Sequence, residues 1–454
     1  MVLIEGLAAV RYPQRQQTDL VAPPYDVLSA ADKAKLLEKN PHNIVAIDLP
    51  HVPPKGAGPT EAYKAAGKTL HDWLEKKILQ RDADPGLYPY QQIYRHDGVT
   101  YRRRGLFCRV ELEEFGPQGS IHPHEQTFSG PKEDRLLLMR ATAANLSPVF
   151  GLFDDAANAV TTTVFAAIEE HPPVATATLP TQDGTDTVLS QLWAVTDEAV
   201  IAAVRQLLRD KHVYIADGHH RYSTCLTYRR ELSGQSGGHL PADHPANYAL
   251  FVLMAMQDPG LIVMPTHRVA ANLSGFSLPK FLDAAGSMLK AEPVRFGKDQ
   301  LGELEKKLAG YGPHAMGMYD PKVQQAMVVS PTSADPLAHF SNDGQLAGKS
   351  AAWRQLDVAI LQHLIFDKIV APTFAAGTSL QWAFPHEAQE VAHLCSAGQF
   401  QAGFLLQPTP LEAVRELCTA GELMPQKSTF FYPKLATGMV LNLLDRPAMP
   451  TGNF

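Results

Sequence analysis

Cysteine is scarce in this sequence, and its spacing argues against the usual roles of paired thiols. Four cysteines occur among 454 residues, and no two of them form a C-x-x-C pair: Cys108, Cys225, Cys395 and Cys418. Isolated thiols of this kind are not typical of a disulfide scaffold, a zinc ribbon or a thioredoxin-type dithiol. We therefore expect reduced cysteines and a cytoplasmic protein.

Long apolar runs and a positive net charge are missing as well. The longest apolar run, residues 248–256, has about half the ~20 residues that a membrane helix needs. Residues 1–11 lack the basic and apolar regions of a secretory signal. The net charge of −7 argues against nucleic acid or an anionic membrane as the main partner. The sequence does not indicate an oligomeric state.

The composition that remains is typical of a globular protein, with 45% hydrophobic and 19% charged residues. At roughly 150 residues per domain, the length predicts about two to three domains. We predict an N-terminal α+β region with a hairpin at 1–130, a region carrying a strand-to-helix site at 131–275, and a C-terminal α+β region at 276–454. Strand and helix patterns alternate along the chain, so we expect a mixed α/β (α+β) fold.

Local signals predict individual elements. Ser29 is a typical N-cap for a helix that ends near Lys39, and Asp97-Gly98 has the residues of a tight hairpin turn. Apolar periodicity predicts helices over 60–79, 132–144 and 197–209 and strands over 191–195, 212–216 and 248–256.

A polar pentapeptide, DGHHR at residues 217–221, separates the strand at 212–216 from a helix predicted over 219–232. The first turn of a helix presents free backbone N–H groups and a partial positive charge. Gly218 lets a ligand approach the backbone closely, and Arg221 offers a planar fork for phosphate oxygens. We therefore predict a phosphate or nucleotide site here, with His219 and Tyr222 as further binding residues.

Two residues of the pentapeptide are candidates for catalysis. Asp217 would weaken plain anion binding, so it is better suited to act as a general base or a magnesium ligand. His220 can donate a hydrogen bond or a proton. The alternative is a structural turn in which Asp217 caps the helix and the histidines lie on the surface.

A second block, IHPHEQTFSGPKEDRL at residues 121–136, combines histidines with charged side chains. In an extended segment His122 and His124 point the same way, which would allow a metal site with Glu125. We prefer a substrate or nucleotide loop with Glu125 as a base or magnesium ligand. The other candidates are His124 and Thr127 for the substrate and Lys132 and Arg135 for phosphate. The alternative is that Lys132, Glu133, Asp134 and Arg135 are solvated charges at a helix start, where the two acids suit the helix dipole.

Three shorter blocks, VAPPYDVLS, MPTHRV and MPQKSTFFYPKL, hold further candidates for substrate binding. The first is a rigid turn, the second ends an apolar strand, and the third lacks the Gly-rich stretch of a Walker P-loop. The candidates are Tyr25, Asp26, His267, Arg268, Lys427, Ser428 and Thr429.

The pentapeptide resembles the phosphate-binding motif of the ParB/sulfiredoxin-like superfamily. The ParB form, Gly-Glu-Arg-Arg-Tyr, matches at Gly218, Arg221 and Tyr222, and the sulfiredoxin form, Gly-Cys-His-Arg, matches at Gly218, His220 and Arg221. His219 stands in place of the catalytic cysteine of the sulfiredoxin form. The free serine kinases of this superfamily have the motif Asp-Gly-His-His-Arg, as at 217–221. Over its length the chain also resembles the DUF1015 family, through VAPPYDVLS, HPHEQTFSGPKEDRL, YIADGHHRY, MPTHRV and MPQKSTFFYPKL.

The resemblance implies a ParB/sulfiredoxin-like nucleotide-binding core with additional α+β segments. It also implies a phosphotransferase that uses ATP or ADP with Mg²⁺ and acts on a small hydroxylated metabolite, with serine or phosphoserine the best guess. The direction of transfer stays open. One alternative is a nucleotide-responsive ParB-like binding or regulatory protein without turnover. The other is a metal-dependent phosphoserine-type hydrolase that uses His122, His124 and Glu125.

Overall fold

The computed structural model describes residues 1–54, 56–116, 118–127, 129–182, 184–341, 343–375 and 377–445. Residue contacts divide the chain into unit 1, residues 1–262 and 433–454, and unit 2, residues 263–432. The regions 1–130, 131–275 and 276–454 stay a prediction from the sequence, and the last of them includes residues 446–454, which lie outside the described residues. Within the described ranges, every helix is too short or too polar to span a lipid bilayer.

Unit 1 is built on a nine-stranded mixed sheet, with the order β6-β11-β8-β12-β5-β4-β10-β9 and with β1 paired to β5. The strands of the whole chain are β1 (Ile4–Glu5), β2 (Val10–Arg11), β3 (Gln80–Arg81), β4 (Tyr88–His96), β5 (Val99–Glu111), β6 (Ile121–His122), β7 (Ala144–Asn145), β8 (Val149–Phe153), β9 (Ala175–Pro180), β10 (Thr187–Leu192), β11 (Val213–Asp217), β12 (Tyr248–Ala255), β13 (Ile262–Met264), β14 (Arg268–Ala271), β15 (Leu289–Ala291), β16 (Phe296–Gly297), β17 (Met316–Asp320), β18 (Gln325–Pro331), β19 (Gln381–Ala383), β20 (Ala402–Leu405), β21 (Phe430–Tyr432) and β22 (Asn442–Leu443). In the large sheet β11 runs parallel to β6, and β12 runs parallel to β8, while the other neighbours are antiparallel.

Helices cover the sheets of both units, so the mixed α/β class expected from the sequence is confirmed. The α-helices are α1 (Ala30–Lys39), α2 (Val45–Asp48), α3 (Thr60–Glu75), α4 (Ser129–Thr142), α5 (Ala159–Ala166), α6 (Glu198–Leu208), α7 (His219–Gln235), α8 (Leu278–Ala285), α9 (Leu301–Lys307), α10 (Ala351–Arg354), α11 (Asp357–Ile360), α12 (Ala371–Phe374), α13 (Ala388–Ser396) and α14 (Leu411–Thr419). A π-helix at Leu361–Val370 joins α11 to α12. Short 3-10 helices lie at Tyr25–Val27, Pro245–Asn247, Gly286–Met288, Lys298–Gln300, Leu308–Tyr311, Ala338–Phe340 and Gly344–Leu346.

Local sequence signals account for several of these boundaries. The Ser29 hydroxyl accepts a hydrogen bond from the Asp32 N–H at 3.2 Å, and the Asp32 carboxylate accepts one from the Ser29 N–H at 3.0 Å, which forms the capping box of α1. Asp97 and Gly98 have φ values of 49° and 78°, as a tight hairpin turn between β4 and β5 requires.

Two predicted boundaries were wrong. The third helix ends at Glu75 rather than at residue 79, because Lys77 has a left-handed backbone with φ of 58°. The strand predicted at 191–195 lies at Thr187–Leu192, and Val195 instead forms an isolated bridge to Leu87. At the helix end the chain turns locally, with the Ile78 and Leu79 N–H groups donating to the Trp73 carbonyl oxygen, whereas at the strand end Val195 pairs with Leu87 instead of continuing β10.

Unit 2 has a smaller sheet of seven strands, with the order β15-β18-β17-β20-β14-β19 and with β16 paired to β18. Its core includes Leu301 and Leu304 of α9, Val391 of α13 and Leu405 of β20. Strands β17 and β18 pair antiparallel and form a ribbon that turns after Asp320.

Helix α4 lies between two hydrophobic clusters of unit 1. Met139 packs into the cluster that the large sheet forms with α5, α6 and α7. Leu138 packs into a second cluster, which contains residues of α2 and α3 such as Val45 and Trp73. Because α4 is covered on both sides, charged residues in its first turns lie in the interior.

Asp134 and Arg135 of α4 form the buried ion pair of this interior, with 0% and 6% of their surfaces exposed. Arg135 Nε donates to Asp134 Oδ2 at 2.7 Å, and its Nη1 donates to the Asp48 carbonyl oxygen at 2.7 Å. The other oxygen of Asp134 accepts the Tyr63 hydroxyl at 2.7 Å and lies 2.7 Å from His51 Nε2. The carboxylate is therefore satisfied on both oxygens, as a buried charge must be.

We expect Asp134→Ala to lower the free energy of unfolding by about 3–5 kcal/mol, because it leaves the Arg135 guanidinium buried with one carboxylate fewer. The matched control is Arg140→Ala on the same helix, where the ion pair with Glu231 is exposed and 2.9 Å long. This control should cost less than about 1 kcal/mol, since water screens an exposed pair. Urea unfolding of the three proteins measures both values, and equal costs would contradict the structural role of Asp134.

Candidate functional site

The strand-to-helix junction predicted from the sequence is present in unit 1. Strand β11 ends at Asp217, Gly218 is the N-cap with φ of 96°, and α7 begins at His219. No side chain caps this helix start, so its first N–H groups have no capping acceptor. Glycine is needed at the junction because a left-handed backbone is rarely adopted by other residues.

Asp217 is held between two cations at this junction. Lys434 Nζ donates to Asp217 Oδ2 at 3.1 Å, and an Arg221 guanidinium nitrogen lies 3.4 Å from Asp217 Oδ1. Burial by itself raises the pKa of Asp217, but the charges of Lys434 and Arg221 hold this pKa well below its ordinary value. The carboxylate is therefore ionised at neutral pH and is a poor proton acceptor. This geometry favours an orienting or metal-binding carboxylate over a general base.

Arg221 lies directly over Gly218. A Cβ atom on Gly218 would come within 3.1–3.2 Å of the Arg221 guanidinium, and Arg221 Nη1 donates to the Pro148 carbonyl oxygen. Burial alone would lower the pKa of Arg221, but nearby Asp217, Tyr25 and Asp26 raise it. About 13% of the Arg221 side chain and 24% of the Asp217 side chain stay exposed, so both groups can be reached from solvent.

Two buried histidines adjoin the helix start. The His124 backbone N–H donates to His219 Nε2 at 3.2 Å, and His124 Nδ1 donates to the Ile215 carbonyl oxygen at 2.7 Å. Burial lowers the pKa of both rings, against the opposing charge of Asp217. Both imidazoles are therefore neutral at pH 7, and His219 presents its remaining ring nitrogen as a donor.

Glu125 follows His124 and is half-buried. Among the described residues its carboxylate has no hydrogen-bond or ion-pair partner. His220 is also half-buried, and its carbonyl oxygen accepts the Thr224 hydroxyl at 2.8 Å. Glu125 is therefore available for proton transfer in a way that the paired Asp217 is not.

The predicted roles of Arg135 and Tyr222 need correction. Arg135 is buried between Asp134 and Asp48, with its guanidinium 3.9 Å from the centre of the Tyr25 ring, so its donors are used inside the protein. Tyr222 is fully buried, and its hydroxyl donates to the Glu113 carbonyl oxygen at 2.8 Å. Both residues support the site from the interior rather than face a ligand.

The remaining candidates of unit 1 differ in exposure. Tyr25 is buried on a 3-10 turn against Arg135, whereas Asp26 is exposed and close enough for its charge to act on Arg221. Lys132 and Thr127 are half-buried and have no polar side-chain partner among the described residues. Phe128, between Thr127 and α4, lies outside the described residues.

The candidates at 266–268 and 427–429 belong to unit 2. Arg268 is buried, donates to the carbonyl oxygens of Thr266 and Lys427 at 2.5 and 2.9 Å, and stacks over Phe384 at 4.6 Å. His267 is fully buried, with its Nδ1 accepting the Leu406 N–H at 3.1 Å. These contacts tie the two segments to each other.

The rest of the segment at 427–429 is fixed in a similar way. Ser428 is buried, its hydroxyl donates to the Pro425 carbonyl oxygen, and its own carbonyl oxygen accepts the Thr409 hydroxyl at 2.7 Å. Lys427 is exposed and Thr429 is half-buried. A shared site for these residues and the junction at Gly218 stays a prediction.

The geometry does not support the metal site that the sequence offers as an alternative at 122–125. His122 Nε2 lies 2.8 Å from His212 Nδ1, while the His124 ring is bonded to the Ile215 carbonyl oxygen. The two rings thus have separate partners. In the part of the chain that the structure describes, no three His, Cys, Asp or Glu side chains are grouped as a metal site. The four cysteines are buried and free, and burial raises the pKa of Cys225 to about 12.

Sequence reasoning missed three polar residues of the site. Lys434 pairs with Asp217, and the Ser147 hydroxyl donates to both carboxylate oxygens of Asp48 at 3.1 Å. Lys434 lies in the block MPQKSTFFYPKL, so the sequence contained a signal for it beside the Lys-Ser-Thr run. Asp48 and Ser147 lie in apolar surroundings that carry no motif.

A small cavity lies between α4 and α7. Its volume is about 30 Å³, and its lining includes Asp48, Arg135, Ser147 and Arg221. A cavity of this size has room for water but not for a nucleotide.

Comparison with solved structures finds only distant likeness. A free serine kinase in complex with AMP is 11% identical, with a TM-score of 0.33, and the alignment covers 74% of this chain and 92% of that one. A conserved hypothetical protein from Pyrococcus furiosus is 13% identical, with a TM-score of 0.32 and coverage of 75% and 95%. SbnI with a C-terminal truncation from Staphylococcus aureus is 9% identical, with a TM-score of 0.34 and coverage of 76% and 90%. Such values are too low to transfer an activity.

Comparison with protein families is more definite. No curated protein matches the sequence significantly. The family model described as a protein of unknown function, DUF1015, matches residues 4–359, which is well over half of the chain. This match includes the junction at Gly218 and the block at 121–136. The chain therefore belongs to the DUF1015 family.

Proposed function

We propose that this protein is a nucleotide-dependent phosphotransferase that acts on a small hydroxylated metabolite, with serine or phosphoserine as the best candidate. The observation that carries the proposal is the uncapped start of α7 at Gly218, where Arg221 and Lys434 flank the ionised Asp217. Free N–H groups and two cations around a partly exposed position are suited to phosphate oxygens.

The phosphates of ADP or ATP would lie against Arg221 and the first N–H groups of α7. Arg221 supplies a fixed guanidinium, because its Nη1 is bonded to the Pro148 carbonyl oxygen and its other edge faces Asp217. Neutral His219 would add a donor without adding charge. His220 on the first turn, half-buried, is a candidate for donating to the transferring group.

Glu125 is the preferred base for the acceptor hydroxyl, since its carboxylate is unpaired among the described residues and Asp217 is held ionised by cations. Mg²⁺ bound with the nucleotide would neutralise part of the phosphate charge. The carboxylates suited to hold it are Asp217 and Glu125, because Mg²⁺ usually takes one or two protein carboxylates and keeps several waters.

In the kinase direction, Glu125 would take the proton of the acceptor hydroxyl as its oxygen forms a bond to the terminal phosphorus. The bridging P–O bond breaks, and its electron pair stays on the departing nucleotide, which is AMP from ADP or ADP from ATP. Arg221 would stabilise the charge on the transferring group. The reverse transfer from phosphoserine uses the same groups with Glu125 as the acid.

The choice of serine rests on the pentapeptide at 217–221, which has the same five residues as the motif of the free serine kinases. Membership of the ParB/sulfiredoxin-like superfamily stays part of this proposal. A nucleotide-responsive regulator would use the same phosphate site without Glu125, so a requirement for Glu125 separates the two functions.

We expect Arg221→Ala to weaken ADP binding by about 10- to 150-fold, which corresponds to the loss of about 1.5–3 kcal/mol from a charge-assisted contact. Isothermal titration calorimetry with ADP and Mg²⁺ measures the effect. Arg140→Ala, which removes an exposed guanidinium from α4, is the control and should bind as the wild type does. Equal affinity of Arg221→Ala and the wild type would rule out this role, provided that circular dichroism shows both to be folded.

We expect Glu125→Gln to lower the turnover number by about 10²- to 10⁴-fold, the usual contribution of a general base, while ADP affinity changes little. Mass spectrometry of phosphoserine formed from serine with ADP or ATP gives the rate. The control is Glu38→Gln on the exposed side of α1. Full activity of Glu125→Gln would remove Glu125 from the mechanism. Tight nucleotide binding by a wild-type protein that forms no product would favour the regulator.

A further inference from the structure

The final described segment of the chain, residues 433–445, returns to unit 1 and reaches the site. Thr437 exchanges backbone hydrogen bonds with Ala22 at 2.8 and 3.1 Å, and Leu441 exchanges them with Val10 at 2.8 and 3.0 Å. Strand β22 then pairs with β7. The match to the DUF1015 model ends at residue 359, so this segment lies beyond it.

Lys434 is fixed at the site end of this segment. Arg103, which is fully buried, donates to the Pro433 carbonyl oxygen, and Gln92 Nε2 donates to the Lys434 carbonyl oxygen at 3.1 Å. The backbone of Lys434 is thus anchored to β4 and β5 of the large sheet. Its ammonium group reaches Asp217 with 19% of the side chain exposed.

Lys434 shifts the balance of charge at the junction. Asp217 and Arg221 together carry no net charge, and Lys434 leaves this group of three with one positive charge. The charge of Asp26 also acts on Arg221, so without Lys434 an arriving phosphate would meet carboxylates that a single guanidinium does not outweigh. The Lys434 ammonium lies beside the start of α7, where Arg221 already provides a guanidinium. Two cations at a helix start are suited to a phosphate group that carries two or more negative charges.

We propose that Lys434 is an anion-binding residue of the nucleotide site, so that the segment at 433–445 supplies one of its ligands. This inference rests on the proposed function, because it assigns Lys434 to the same phosphates. The competing explanation is structural: Lys434 would only neutralise Asp217. The two explanations predict different effects of Lys434 on ADP affinity once Asp217 has lost its charge.

The test is a double-mutant cycle with ADP and Mg²⁺ as the probe, measured by isothermal titration calorimetry. Lys434→Met should weaken binding by about 10- to 100-fold. In an Asp217→Asn background the same Lys434→Met change should still weaken binding about 10-fold or more. Lys64→Met on α3, which removes an exposed ammonium from unit 1, is the matched control and should leave the affinity unchanged.

Several results would overturn the assignment. Unchanged affinity on adding Lys434→Met to Asp217→Asn would show that Lys434 only neutralises the carboxylate. If Lys434→Met does not fold, the comparison uses Lys434→Arg and Lys434→Gln, and equal affinity of the two would overturn the role of the charge. Absence of ADP binding by the wild type would instead reject the proposed function and the Lys434 assignment with it. Binding by the wild type with no effect of Lys434 rejects the Lys434 assignment alone.

Discussion

The ionised carboxylate of Asp217 sets the arrangement of the site in unit 1. A carboxylate at a strand end with little exposure needs opposite charge nearby, and Arg221 supplies it from the next turn of the chain. Lys434 supplies it from more than two hundred residues away. Both cations therefore contact the same carboxylate, and this carboxylate lies beside the uncapped start of α7.

A second buried network supports the first from the interior. Asp134, Arg135 and Asp48 satisfy one another between two hydrophobic clusters, and Arg135 stacks on Tyr25. This network fixes α4 and the turn at Tyr25, and Asp48 and Arg135 line the small cavity together with Arg221. Rigid surroundings matter for a phosphate site because charge stabilises a transition state best when it does not need to reorganise.

Glu125 differs from these paired charges, because its carboxylate has no hydrogen-bond or ion-pair partner among the described residues. Asp217, in contrast, is kept ionised by the charges of Lys434 and Arg221. The neighbouring His124 and His219 are neutral because they are buried, so they shape the junction without adding charge. The phosphotransferase proposal uses this division of roles.

The sequence by itself determined the junction, because an apolar strand, a glycine and a helix start are local patterns whose geometry depends on near neighbours. The α1 cap at Ser29 and the hairpin at Asp97-Gly98 were predictable for the same reason. Only the tertiary structure decided that Arg135 and Tyr222 face the interior, since a motif fixes residue identity but not which side of a helix is covered. It also decided the pairing of Lys434 with Asp217, because a contact across such a distance in the chain leaves no periodic or spacing signal in the sequence.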